Sequence, residues 1–278
     1  MRPSSFAPRL VALDIDGTLF TNVPSTGVVE ETISPAVVDA VRRAYDAGAH
    51  VVLATGRSTF GISHVWDQLG LPDRSRGDES QVLSVASNGS VTFSYPPVEV
   101  LSTVTFDAGE IVRMLLQEVP GAAVAVEEIG VGYRINRAFP DGEITGRMTV
   151  QSVDELVAEP VTRVILRDPH SSEEEFLALA EKLGLHGTNY FIGWTAWLDI
   201  APEGVSKASA LAEVAERLGV AQADVLAIGD GRNDIEMLRW AGRGVAMGQA
   251  PLEVQEAADD VTETVVEDGV AVELARWF

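Results

Sequence analysis

Apolar and polar positions change rhythm twice along the chain. The first ninety residues alternate short apolar runs with helical spacing. Leu10-Val11-Ala12-Leu13, His50-Val51-Val52-Leu53-Ala54 and Val82-Leu83-Ser84-Val85-Ala86 are brief enough to be buried strands. Between the first two, Ser34 and Pro35 supply a cap and a first-turn proline. Val37, Val38, Val41 and Tyr45 then recur at helical spacing up to Gly48. A second helical stretch runs to Leu69, with Gly70 and Pro72 closing it. Strands alternating with helices predict a parallel sheet with helices on both faces.

After Gly89 the pattern turns to Val, Thr, Phe and Tyr with a period of two over residues 91–106, the mark of antiparallel strands or a hairpin. A helix over 108–118 follows, then β-like runs at 122–126, 132–135 and 161–166, a helix over 173–183 and a Trp-containing strand pattern at 190–200. From Ala201 the first rhythm returns, with a helix over 206–218, a strand at 225–228, a helix over 234–240 and a short strand at 244–247. The pattern predicts one α/β domain interrupted by an α+β module. Its parts are residues 1–90 and 200–278 for the parallel-sheet domain and 91–199 for the insertion.

Composition narrows the class. The chain has 278 residues, 46% of them apolar, enough for a sizeable core. It has no cysteine, which removes disulfides and thiolate metal sites and fits a cytoplasmic protein. No signal peptide or membrane-spanning run is visible. The net charge of -22 argues against nucleic acid or an anionic membrane as partner. Most of those acids read as a solubilising surface, and a few could gather at a divalent cation.

The chemistry sits at strand ends, where open parallel sheets bind ligands. Asp14-Ile15-Asp16-Gly17-Thr18 follows the first strand, Thr55-Gly56-Arg57 the second, and Gly229-Asp230-Gly231-Arg232-Asn233-Asp234 the strand at 225–228. Lys207 lies in the first turn of the helix after Gly204. Taken singly, each has a plain structural reading. Asp-Gly and Thr-Gly form turns, Asp234 can cap a helix, Arg57 can pair with a surface acid, and most lysines are solvated. A cation in a helix's first turn opposes the macrodipole, however, so Lys207 is better explained by a nearby anion.

Together the groups make a phosphoryl-transfer set. Asp14 is the candidate nucleophile and a metal ligand. Asp16 can protonate a leaving oxygen and later deprotonate water. Gly17 offers a sharp turn and a backbone N–H. Thr55 offers a hydroxyl, and Lys207 neutralises charge on nucleophile and phosphate. Asp230 completes a hard-oxygen magnesium site, while Asn233 and Asp234 orient what surrounds it.

These motifs resemble those of the haloacid dehalogenase-like (HAD) superfamily. The likeness extends to Ile33-Ser34-Pro35, Ser87-Asn88-Gly89, Ala257-Ala258-Asp259 and Glu267-Asp268-Gly269-Val270. Size and position of the insertion resemble the Cof-type branch with a type IIB cap. The resemblance implies a Rossmann-like core with an inserted α+β cap, a Mg2+ cofactor and a phosphoaspartyl intermediate on Asp14. The metal set it implies is Asp14, Asp16 through its backbone carbonyl, and Asp230, with Asp234 beside them. The phosphate and substrate contacts it implies fall to Gly17, Thr55, Gly56, Arg57, Asn88, Lys207 and Asn233.

The expected catalytic residues are thus Asp14, Asp16, Thr55 and Lys207. Dehalogenases and P-type ATPases of the superfamily lack an aspartate at the Asp16 position, so its presence favours hydrolysis of a small metabolite's phosphate ester. A phosphosugar mutase and a non-catalytic phosphometabolite-binding protein are the alternatives. The expected assembly is a monomer or homodimer. Gln249, where many relatives carry asparagine, and Val265-Val266 depart from the pattern and bear on local packing or substrate contacts. Arg134, Arg137, Arg147, Trp194 and Trp197 are the insertion's candidates for substrate recognition, with surface pairing and core packing as their plain readings.

Overall fold

The computed structural model describes residues 6–20, 31–172, 174–176, 178–179, 188–192 and 197–278. The chain enters through β1 (Leu10–Leu13), β2 (His50–Ala54), β3 (Val82–Ala86), β4 (Val91–Tyr95) and β5 (Glu99–Thr103). It crosses β6 (Ala123–Glu128), β7 (Gly132–Ile135), β8 (Arg147–Val150), β9 (Val164–Arg167), β10 (Thr188–Ile192) and β11 (Trp197–Pro202). It returns through β12 (Val225–Gly229), β13 (Arg243–Ala246) and β14 (Asp260–Val261). Two compact units result. One holds residues 1–56, 62–101 and 206–278, the other 57–61 and 102–205.

The first unit is built on an eight-stranded sheet in the order β14-β13-β12-β1-β2-β3-β4-β5. The run from β14 to β3 is parallel, and β4 returns antiparallel on β3. All four residues of β1 are fully buried, as expected of a central strand covered on both faces. Ser34 caps the helix Pro35–Asp46 by accepting from the Val37 N–H, with Pro35 inside its first turn. The helix Lys207–Leu218 starts at Ser206, whose side chain accepts from the Ser209 N–H, and ends at left-handed Gly219. Its inner face, Ala208, Ala210, Leu211, Val214 and Ala215, is buried. Leu10, Ala12, Val52 and Ala227 of the sheet share that core.

The hairpin expected over 91–106 forms, but β4 and β5 extend the eight-stranded sheet, although a division at residue 90 assigns them to the insertion. The reason is local. A short turn after β4 brings the chain straight back, so both strands pair beside β3 before the chain leaves.

The second unit carries a six-stranded sheet in the order β10-β11-β9-β6-β7-β8, antiparallel except for β7 with β8. The helices Gly109–Glu118 and Val153–Leu156 cover one face, packing Val112, Leu115 and Leu156 with Val124, Val126, Leu166, Leu198 and Ile200. The alternate positions Ala123, Ala125, Tyr133, Ile135 and Ile165 meet Phe139 and Ile144 on the other. That face also buries a charge pair. Arg163 donates from Nε and Nη2 to the two oxygens of Asp199, at 3.0 and 2.6 Å. The single strand expected over 190–200 is two, β10 and β11. The strand β8 and the helix Val153–Leu156 add elements the pattern did not reveal. The helix expected over 173–183 lies mostly outside the described residues, as does Trp194. No helix among the described residues is long and apolar enough to cross a membrane.

Candidate active site

The parallel register assembles the site. Asp14 N–H donates to the Ile228 carbonyl, so the ends of β1 and β12 lie side by side and bring the loops carrying Asp14 and Asp230 together. The backbone then turns sharply, with the Thr18, Leu19 and Phe20 N–H groups all donating to the Ile15 carbonyl. Gly17 makes that turn with φ of +83°, and a Cβ there would lie 2.0 Å from Asp230 Oδ2. Only glycine meets both demands, the left-handed backbone and the room for a carboxylate.

Lys207 is fully buried. Its ammonium donates to Asp14 Oδ1 at 2.7 Å and to Asp234 Oδ1 at 2.6 Å. Asp234 is held by its own loop. Its Oδ2 accepts from the Asp230 and Gly231 N–H groups at 3.0 and 2.8 Å. Thr18 Oγ1 lies 3.3 Å from the second oxygen of Asp14 as a donor. The lysine that opposes the helix dipole is therefore a paired cation.

One oxygen from each of Asp14, Asp230 and Asp234 lies within 4.8 Å of the others, and all three residues are buried. Three carboxylates face one ammonium. Burial and then repulsion by Asp234 hold the Asp14 carboxyl well above the usual carboxylate range, against the pull of Lys207. Burial, followed by the charge of Asp234, pushes Asp230 up to about 7. Burial alone would lower the Lys207 ammonium, but Asp14 and Asp234 outweigh it and raise it. Both partners of the Lys207–Asp14 pair rise because one cation is shared among too many anions. The hard-oxygen donor set and its unmatched negative charge fit a divalent cation.

The other expected groups divide. Asp16 is half-buried, and its carboxyl is outside that three-acid group. Thr55 is buried, and its carbonyl accepts from the Asn88 N–H at 3.1 Å. Asn88 adopts φ of +53°, and its Oδ1 accepts from Asn233 Nδ2 at 2.9 Å. A Cβ at Gly56 would stand 3.1 Å from that same oxygen, so the three loops pack tightly here. Arg57 belongs by its contacts to the second unit, in the short segment Arg57–Gly61.

In the second unit, Arg137 donates to the carbonyls of Gly121 and Pro120 and Arg147 lies 3.6 Å from Glu128. Trp197 meets Phe139 edge-on at 6.2 Å. Arg147 and Trp197 thus show the surface pairing and packing of their plain readings, whereas Arg137 bonds backbone carbonyls rather than an acid. One contact at the site was not foreseen. Gln249 Nε2 donates to the Gly17 carbonyl at 2.5 Å and lies 3.4 Å from Asp230 Oδ2. The departure from asparagine marked this position, but nothing in the sequence signals its partner, 232 residues away.

The chain matches the family described as haloacid dehalogenase-like hydrolase over residues 11–274. It is 28% identical over 274 residues to the 5-amino-6-(5-phospho-D-ribitylamino)uracil phosphatase YcsE of Bacillus subtilis, covering 97% of this chain and 95% of that protein. It is 32% identical over 266 residues to the phosphoglycolate phosphatase of Natronomonas pharaonis, covering 96% of each. Its fold is similar to that of the subclass IIB sugar phosphatase BT4131, with a TM-score of 0.78 at 24% identity over 96% of this chain and 98% of that one. The eight-stranded and six-stranded units thus correspond to a Rossmann-like core and an inserted α+β cap, and the chain belongs to the haloacid dehalogenase-like hydrolases, among the phosphatases of that family.

Proposed function

We propose that this protein is a Mg2+-dependent phosphatase that hydrolyses the phosphate monoester of a small metabolite through a phosphoaspartyl intermediate on Asp14. The observation that carries this reading is the buried set of Asp14, Asp230 and Asp234 around the Lys207 ammonium. Asp14 and Asp230, with the backbone carbonyl of Asp16, would hold the Mg2+. Bound there, the ion would neutralise the excess acid and polarise phosphoryl oxygens. Asp234 has one oxygen on Lys207 and the other on two backbone N–H groups, so its role is to fix the lysine and the loop.

The chain's own residues then account for each step. Lys207 holds one Asp14 oxygen in place and offsets charge as a dianion approaches. The other Asp14 oxygen attacks phosphorus, and the bond to the ester oxygen breaks. Asp16 gives its proton to that leaving oxygen, so the product departs as an alcohol. Asp16, now ionised, takes a proton from water as the water attacks the phosphoryl group on Asp14. The phosphorus–Asp14 bond breaks, and inorganic phosphate and free Asp14 result. Gly17, Thr55, Gly56, Arg57, Asn88 and Asn233 are the expected phosphate and substrate contacts.

The relatives named above carry two different substrates in their names, a phosphoribityl aminouracil and phosphoglycolate, so a small phosphorylated metabolite is the class this reading takes. Purified protein should release phosphate from p-nitrophenyl phosphate with Mg2+ and stop on addition of EDTA. A panel of sugar phosphates, nucleotides and cofactor phosphates then ranks substrates by kcat/KM. Activity that survives EDTA at full rate contradicts the metal-dependent reading.

A further inference from the structure

Both ends of the Gln249 amide are committed. Its Oε1 accepts from the Val265 N–H at 2.9 Å, while Nε2 faces the Gly17 carbonyl and Asp230 Oδ2. Only the amide oxygen can accept from an N–H, so the Val265 contact fixes which end meets the site. The anchor is itself braced. Val265 opens a short 3-10 turn to Glu267, where the Thr264 hydroxyl donates to the Glu267 carboxylate at 2.7 Å. Nearby, the Gly248 N–H donates to the Glu263 carbonyl.

Gly17 and Asp230 come from loops that follow different strands, and Asp230 lies directly over the Gly17 Cα. A carboxylate there is repelled by its buried neighbours Asp14 and Asp234. The 3.4 Å contact is weak alone. It is fixed in direction because the same nitrogen is already bound to Gly17 and the same amide to Val265.

We propose that Gln249 is a positioning residue of the cation site, holding the Asp230 carboxylate against the Gly17 turn from the Val265 anchor and so setting the site's affinity for Mg2+. This rests on the reading of Asp14 and Asp230 as cation ligands. Gln249 touches neither the reacting atoms nor the ion; it acts through Asp230 and the Gly17 carbonyl. Loss of such an outer partner typically weakens metal binding about 10–100-fold.

The test is a calorimetric titration of the full, metal-free chain with MgCl2, for the wild type, Gln249→Met and Val265→Pro. Methionine keeps the length and removes both polar ends. Proline removes only the N–H that orients the amide, at a first-turn position where proline is tolerated after the extended Thr264. Gln249→Met should bind Mg2+ about 10-fold more weakly. Val265→Pro should shift in the same direction by less. The KM for p-nitrophenyl phosphate at saturating Mg2+ should be unchanged in both, which a general loosening of the site would not give. Wild-type Mg2+ affinity in Gln249→Met overturns the inference, and if that variant does not fold, wild-type affinity in Val265→Pro does so. A wild-type chain that binds no Mg2+ overturns the underlying cation-site reading, and this appears before any variant is compared.

Discussion

One buried charge group in each unit makes a contrast: one is matched, the other is not. In the second unit Arg163 and Asp199 form a matched fork, one guanidinium on one carboxylate with two hydrogen bonds. In the first unit three buried carboxylates lie together, and one ammonium bonds two of them, Asp14 and Asp234. A matched buried pair carries no excess charge for an ion to neutralise. An unmatched cluster costs folding energy for as long as its excess charge stands. The difference separates a buried pair that reads as structural from the cluster proposed above to take a cation and a phosphate.

Four perturbations break or sharpen that contrast. The largest effect should come from Asp14→Asn, which keeps the shape and the hydrogen bond to Lys207 but removes the proposed nucleophile. Turnover of p-nitrophenyl phosphate should fall by at least about 10³-fold, read in a steady-state assay with Mg2+ in excess. Next, Arg163→Met leaves Asp199 buried without its partner and should cost about 3–5 kcal/mol in urea-induced unfolding. The double variant Arg163→Met/Asp199→Leu should recover most of that loss, as an apolar replacement of a matched pair does.

Gly17→Ala should have a smaller effect on stability, about 1–3 kcal/mol for the left-handed backbone. The new Cβ would displace the Asp230 carboxylate, so more Mg2+ should be needed for half-maximal activity. The fourth test is a pH trend in the metal-free protein. The Asp230 carboxyl titrates near 4 when unfolded and is pushed up to about 7 when folded. Between those values the folded state holds a proton that the unfolded state has lost. Stability should therefore fall as pH rises from about 4 through 7. Melting curves across that range should show the slope, and Asp230→Asn should make it shallower, with the raised Asp14 carboxyl contributing what remains.

How much of this was legible in the sequence follows from distance along the chain. The strands β1, β2, β3 and β12 read directly because buried parallel strands are short apolar runs. The motifs at their ends read because each is local and the parallel register gathers all the carboxyl ends on one side. Lys207 was readable as a cation out of place in a first turn. Gln249 was not, because its partner depends on how a loop near the C-terminus returns to the turn after β1. Arg163 and Asp199 were hidden for the same reason. Both lie in runs that read as strands, but they meet only through the antiparallel register of β9 and β11, and a strand pattern does not say which strand it pairs with. The attachment of β4 and β5 to the eight-stranded sheet was equally invisible, since a hairpin's pattern does not say which sheet it joins.

The central claim is that the unmatched acids around Lys207 form a cation site. It is tested most directly by titrating the metal-free full chain with MgCl2 at a pH just below 7, in two buffers of different protonation enthalpy, beside Asp230→Asn. The account predicts saturable binding by the wild type, a heat that differs between the buffers because the ion displaces protons from the crowded carboxyls, and loss of binding in Asp230→Asn. Absence of saturable Mg2+ binding in the wild type, or undiminished binding in Asp230→Asn, would contradict it.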